Sequence, residues 1–216
     1  LYGNIHGDEV CGLMVACDVL DWILANYGAD PEARKLVDEA ELWFVPMGNP
    51  YGNAAQTRYN STGTDLNRDF WSPAYPSIPA FTQKETQAVR DLTGALPHRK
   101  RFAASLAFHG GATCFNAVYN YTNAATPDEP IFFSSRTGGP DNPDCGSLCA
   151  TPAPDGLAAA FQDGCTMPDF WYTNGGDWYE TVGDTNDWAY GAWTQLDTTI
   201  ECDDDLYCAP LDATCQ

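Results

Sequence analysis

The 216-residue chain predicts an α/β fold, a single domain whose central sheet is covered by helices on both faces. Three observations carry that reading. Long apolar runs with helix stop signals alternate with short aromatic and β-branched runs. The short runs lack polar alternation, as strands buried on both faces require. Polar residues suited to chemistry stand where the strands end, at His6, His109 and Glu201.

The elements follow in order. "GNIHGDEVCG" leaves the end of a strand and turns into a helical run. Val10 to Tyr27 is apolar on nearly every face and stops at Gly28, which reads as a buried helix with a glycine stop. Asp30-Pro31 caps a second helix to about Ala40. "LWFVP", Leu42 to Pro46, reads as a buried strand. Gly48 to Ser77 is a long loop of Gly, Asn, Pro, Ser and Tyr, the kind that carries sites. Thr82 and Glu85 form a capping box for a helix to about Leu92. "FAASLAF", Phe102 to Phe108, is a strand ending at His109. Asp128 to Asn174 is rich in Pro, Gly and Cys, with one weak helix near Leu157 to Phe161. "LDTTIE" is a last strand ending at Glu201.

Composition excludes several classes. Ten Lys and Arg face thirty Asp and Glu, a formal charge of −20, which repels phosphate backbones and favours cationic partners, so nucleic acid is not a target. No apolar run reaches the roughly 18–20 residues of a membrane span, because Val10 to Leu24 is broken by Asp18 and Asp21. The nine cysteines, at 11, 17, 114, 145, 149, 165, 202, 208 and 215, show no C-x-x-C spacing. Cystines or buried thiols are therefore expected rather than thiolate metal ligands, in an oxidising setting: secreted, extracellular or periplasmic. A monomer is expected. Asn60-Ser-Thr and Asn120-Tyr-Thr match the N-glycosylation acceptor pattern.

His6 and Glu9 are three residues apart at a strand-to-helix turn, so imidazole and carboxylate can converge on one ion, and His109 ends another strand. Two His nitrogens and one carboxylate leave a fourth zinc position open, as in catalytic sites. The spacing alone equally describes a capped helix with a satisfied histidine. Arg58, Asn67 and Arg68 in the long loop are either solvated charges or a bidentate grip on a carboxylate. Glu201, partly buried at a strand end, is a base candidate.

The text resembles the zinc metallocarboxypeptidases, in particular the regulatory branch that includes carboxypeptidases N, E and D. "GNIHGDEVCG" is similar to the branch's H-G-N-E-x-x-G segment, and "TRYNSTGTDLNRDF" to its arginine, Asn-rich loop and D-L-N-R-N-F run. "AFHGGATCFN" resembles its L-H-G-G motif, "TNGGDWYETVGDTNDWAYG" its N-G-x-x-W-Y-x-V-x-G-x-x-Q-D-W-x-Y stretch, and "TTIEC" its glutamate strand.

The resemblance implies a mixed, mostly parallel sheet and one zinc ion held by His6, Glu9 and His109. It implies Asn67 and Arg68 as a clamp on the substrate's C-terminal carboxylate, Arg58 facing the oxyanion, Tyr179 as a mobile hydroxyl and Glu201 as general base. The implied partners are peptide or protein C-termini. Family catalytic domains begin with further strands and a helix and continue beyond the glutamate strand, so residues 1–216 are expected to be a catalytic domain truncated at both ends. Asn120 stands where basic-specific members carry a pocket aspartate, and Asn186 where they carry a pocket glutamine. Asp128, Glu129, Asp141, Asp144, Asp155 or Asp163 could bring a carboxylate instead, which leaves a narrow preference for basic C-terminal residues. Two other readings are a zinc amidohydrolase of the aspartoacylase type and a non-catalytic binding relative. The Arg58 interval and "WYETVGDTNDWAY" argue against the first, and the filled catalytic positions against the second.

Overall fold

The computed structural model describes residues 1–96, 102–133, 156–164, 170–193 and 195–203. Its centre is a five-stranded mixed sheet of order β1-β2-β5-β3-β4. Strands β1 (Tyr2–Gly3), β2 (Ala104–His109) and β5 (Leu196–Asp203) run parallel. β3 (Ala112–Ala117) is antiparallel to β5 and parallel to the edge strand β4 (Trp171–Asn174). The register aligns Gly3 with Phe108, and His109 with Glu201. The carboxyl ends of the three parallel strands therefore open on one edge of the sheet, where α/β sheets bind their ligands.

Side-chain alternation on β5 assigns the two helical layers. Ile200 joins Phe108, Phe115 and Ala16 of helix α1 (Val10–Asn26) in the larger apolar cluster. The next face carries Thr199, whose hydroxyl donates at 2.8 Å to Asn186 of helix α8 (Thr185–Trp193). Helices thus cover both faces, as the sequence predicts. α1 lies close on β2, because a Cβ at Gly12 would collide with the Phe108 carbonyl. A second apolar cluster, with Ile5, Leu66, Phe70 and Trp188, packs Phe70, Phe81 and Trp188 ring on ring at 5.3–5.7 Å.

The local readings fare unevenly. Helix α2 (Pro31–Glu39) starts as expected, with the Asp30 carboxylate accepting from the amides of Glu32 and Ala33. α1 is only half-buried, since Trp22 and Leu24 are exposed. Leu42 to Pro46 forms no strand, because β1 offers just two residues to pair with and only Val45 bridges Tyr2. The capping box is replaced too. α4 (Lys84–Ala95) begins after Gln83, and the buried Asp69 from the long loop accepts from the amides of Thr82 and Gln83 and from the Thr82 hydroxyl. The long loop contains helix α3 (Pro50–Ala55) and a 3-10 turn over Leu66–Arg68. In the segment rich in Pro, Gly and Cys, the helix expected near Leu157 to Phe161 is present as α6 (Leu157–Gly164), and the segment also holds the unexpected α5 (Glu129–Phe132) and β4, with α7 (Gly175–Trp178) just past it.

Both glycosylation patterns are structural instead. Asn60 is buried and accepts from the amides of Thr62 and Thr64, and Asn120 is buried in a hydrogen-bonded network. Cysteines 145, 149, 165, 208 and 215 lie outside the described residues, and with them most of the expected disulfide framework. Among the described residues, no single helix is long and apolar enough to cross a membrane.

Candidate active site

Asn4 shapes the turn that leaves β1. Fully buried and in the left-handed region at φ 55°, it donates its side-chain amide to the carbonyls of His6, Gly7 and Glu9 at 3.0–3.2 Å. The turn presents His6 and Glu9 to His109 at the end of β2. His6 Nδ1 lies 2.7 Å from Glu9 Oε1, His109 Nδ1 lies 2.8 Å from Glu9 Oε2, and the two rings meet edge to face at 4.9 Å. One donor atom from each of the three side chains falls within 4.8 Å of the others, and all three residues are buried.

The charges explain what this cluster suits. Burial works against the Glu9 carboxylate, yet the imidazoles of His109 and His6 hold its pKa well below the usual range. Burial likewise opposes charge on His6, but its hydrogen bonds to Asp65 and Glu9 raise its pKa. A buried carboxylate clasped by two imidazole nitrogens calls for positive charge, which a divalent cation provides. Two nitrogen donors and one oxygen donor match the donor set of catalytic zinc.

Asp65, in the quoted "TDLNRDF" but unassigned from sequence, braces the cluster. Its Oδ1 accepts from His6 Nε2 at 3.1 Å and from the Asn67 backbone N–H at 2.9 Å, and its Oδ2 accepts from Arg58 Nε at 2.9 Å. A proton on His6 Nε2 leaves the Nδ1 lone pair for an ion. Burial opposes the charge on Asp65, but His6 and then Arg58 and Arg68 pull its pKa down. Arg58 also reaches Glu9 Oε1 at 3.4 Å, so it sits beside the cluster.

The predicted clamp is next to it. Asn67 is buried and fixed by accepting the Thr185 amide at 3.0 Å, and Arg68 donates to the Asn67 carbonyl at 2.8 Å. Gly183, at φ 86°, holds this segment down: Phe70 N–H donates to its carbonyl at 2.9 Å, and a Cβ there would lie 2.6 Å from the Arg68 carbonyl oxygen. Tyr179 follows α7, half-exposed, with its hydroxyl hydrogen-bonded to Arg68; burial and the Glu201 charge raise its pKa against the two arginines. Trp178 packs edge-on against Trp171 and Tyr179.

Glu201 is buried beside His109 in the β2–β5 register. Burial, with the Glu9 charge, pushes its pKa up to about 8, against the pull of His109 and Arg58. All ten residues singled out from sequence, with Asn120 and Asn186 among them, line one cleft. Of the loop acids offered for the pocket, Asp128 accepts from Tyr190 and is not in the lining, while Asp141, Asp144 and Asp155 lie outside the described residues. The lining holds a carboxylate the sequence reading missed, Asp184.

A family model described as zinc carboxypeptidase matches residues 1–210. The chain belongs to the zinc carboxypeptidase family. Carboxypeptidase SOL1 of Arabidopsis thaliana is 30% identical over 218 residues, covering 95% of this chain and 39% of that protein. Carboxypeptidase D of Mus musculus is 30% identical over 216 residues, covering 92% of this chain and 15% of that protein. The chain therefore spans well under half the length of these carboxypeptidase relatives. The solved structure of thrombin-activatable fibrinolysis inhibitor superposes with a TM-score of 0.68 at 17% identity, covering 94% of this chain and 53% of that one. Carboxypeptidase A of Helicoverpa armigera gives 0.62 at 19%, covering 94% and 51%. At such identities the two structures show a shared zinc carboxypeptidase fold, which agrees with the mixed, mostly parallel sheet expected from the resemblance.

Proposed function

We propose that this cleft hydrolyses the C-terminal peptide bond of peptides or proteins, releasing one residue at a time. The observation that carries the reading is a single cleft in which the His6–Glu9–His109 cluster and buried Glu201 stand beside the Arg58, Asn67 and Arg68 group. His6, Glu9 and His109 would hold a zinc ion, whose chemistry there would be Lewis acidity toward a peptide carbonyl and a water.

The chain's own residues account for the rest. Glu201 takes a proton from the attacking water and delivers it to the leaving amine; its burial strengthens proton affinity, which suits a group that must carry a proton between two atoms. Arg58 faces the oxygen that gains charge. Asn67 and Arg68 bind the free carboxylate that marks a chain end, as a guanidinium and an amide can. Tyr179, half-exposed on the rim, closes over bound substrate. The acid-rich composition favours basic C-terminal residues by a small margin, and the cysteine content supports a secreted, extracellular or periplasmic setting.

The test follows residue release from a free-carboxylate peptide by mass spectrometry, with zinc and then with a chelator. Stepwise loss from the C-terminus, abolished by chelation, is expected. Glu201→Gln, which cannot take a proton, should retain zinc and cut turnover by several orders of magnitude. Internal cleavage, release that survives chelation, or Glu201→Gln turnover within tenfold of the parent would overturn the assignment.

A further inference from the structure

Asp184 takes no part in the chemistry above. It is 2% exposed, follows the Gly183 turn and lines the cleft with Asn116, Asn120 and Asn186. Its Oδ1 accepts from the Asn120 side-chain amide at 3.1 Å and from the Asp187 N–H at 2.9 Å, and its Oδ2 accepts from the Thr181 hydroxyl at 2.8 Å. A carboxylate offers about four lone-pair positions, so one on Oδ2 is left over. These partners are neutral, and among the described residues no Lys, Arg or His forms an ion pair with it. A carboxylate so deeply placed is costly without a counter-charge.

A second feature points to what supplies that charge. Asn120 turns its NH2 to Asp184 and its Oδ1 to Asn116, whose Nδ2 donates to it at 3.1 Å. The carboxylate thereby orients the pair of amides, and Asn116 Oδ1 is left as the free acceptor. That atom is buried, in a residue 7% exposed, and has no hydrogen-bond partner. Asn186 Nδ2, in a residue 1% exposed, is likewise without a partner. Orphaned buried polar atoms on the wall of a cleft mark a missing ligand. The two acceptors call for a cation with several N–H donors, and the Asn186 donor for an oxygen. A basic C-terminal residue carries both, in its ammonium or guanidinium group and in its carboxylate or carbonyl.

We propose that Asp184, with the Asn116 carbonyl oxygen, anchors the basic side chain of the substrate's C-terminal residue, and that Asn120 serves as the link that orients them. Asp184 falls at a position the "N-G-x-x-W-Y-x-V-x-G-x-x-Q-D-W" pattern leaves open, which is why the motif did not reveal it. The proposal makes the narrow basic preference a marked one. It rests on reading the cleft as a carboxypeptidase site, and the experiment keeps the two apart.

Binding of free L-arginine and of L-citrulline, its uncharged near-isostere, is measured by calorimetry on the purified chain alongside cleavage of peptides ending in Arg, Lys, Leu and Phe. Arginine should bind about a hundredfold more tightly than citrulline, and Asp184→Asn should shrink that ratio to within about threefold and lower Arg release relative to Leu and Phe release by a similar factor. Parent protein that binds both equally overturns the anchor without any mutant, as does an Asp184→Asn protein that is folded and keeps the full ratio. If arginine is selected but no peptide loses its last residue, the anchor stands and the peptidase reading fails.

Discussion

Replacing Asp65 by asparagine should weaken zinc binding by about 10- to 100-fold, although Asp65 is not one of the ion's ligands. The asparagine oxygen can still accept from His6 Nε2 and the Asn67 amide, which lie 3.1 and 2.9 Å from Asp65 Oδ1. Its NH2 then faces Arg58 Nε, which now donates to Asp65 Oδ2 at 2.9 Å, so a donor meets a donor. A hydrogen bond to a charged group contributes about 1.5–3 kcal/mol, and the Asp65 side chain is 18% and the Arg58 side chain 32% exposed, so solvent screens the loss toward the lower end. About 1.4–2.8 kcal/mol corresponds to the 10- to 100-fold range, since each tenfold is about 1.4 kcal/mol. Arg58, freed from Asp65, also competes more strongly for Glu9, which it already approaches at 3.4 Å. Competition with a fluorescent zinc chelator measures the affinity, and circular dichroism confirms that the variant is folded. An affinity within threefold of the parent would refute the idea that the Asp65 charge supports the cluster by holding Arg58 away from Glu9.

Two further expectations follow from the same interior. In the metal-free protein, burial and then the Asp184 charge raise the Asp187 pKa to about 8, against the backbone amides of Asn120 and Tyr121, and burial raises that of Asp197. An acid with a raised folded pKa binds more protons folded than unfolded between its two pKa values, so stability should fall as pH rises from about 4 to about 8. Glu9 and Asp65, with lowered values, act oppositely and only below about pH 4. Thermal melts should therefore show a higher midpoint at pH 5 than at pH 8, and Asp187→Asn should flatten that slope; a midpoint rising across the window would contradict the signs. Gly183→Ala places a Cβ 2.6 Å from the Arg68 carbonyl at a φ of 86°, and should cost about 2–4 kcal/mol in urea unfolding. A cost below about 0.5 kcal/mol would mean that the Gly183 turn does not hold the Arg68 segment.

The edge that carries the candidate site was legible because its residues sit at points of strong local punctuation. His109 and Glu201 each end a run whose strand character is plain, His6 stands in the turn that leaves the two-residue β1, and the parallel register sets the three strand ends side by side. β3 was hidden for a physical reason. Its six buried residues, "ATCFNA", mix Thr, Cys and Asn with small apolar groups, because one face meets the larger apolar cluster and the other lines the cleft through Asn116. Leu42 to Pro46 looked like a strand from composition, but pairing depends on a partner that β1 is too short to give. Asp69 replaced a local capping box from 13 residues away, a contact no window of sequence displays. Asp184 is one of thirty acidic residues, and only its burial in the cleft separates it from the rest.

The central claim, that this cleft recognises a chain end, is tested most directly by one comparison. Two peptides of identical sequence, one with a free C-terminal carboxylate and one amidated, are incubated with the zinc-loaded protein, and residue release is followed by mass spectrometry. The free peptide should be shortened while the amide stays intact over at least a hundredfold longer exposure, since Asn67 and Arg68, which line the cleft, would lose the anion they are proposed to bind. Equal rates on the two peptides would contradict the account.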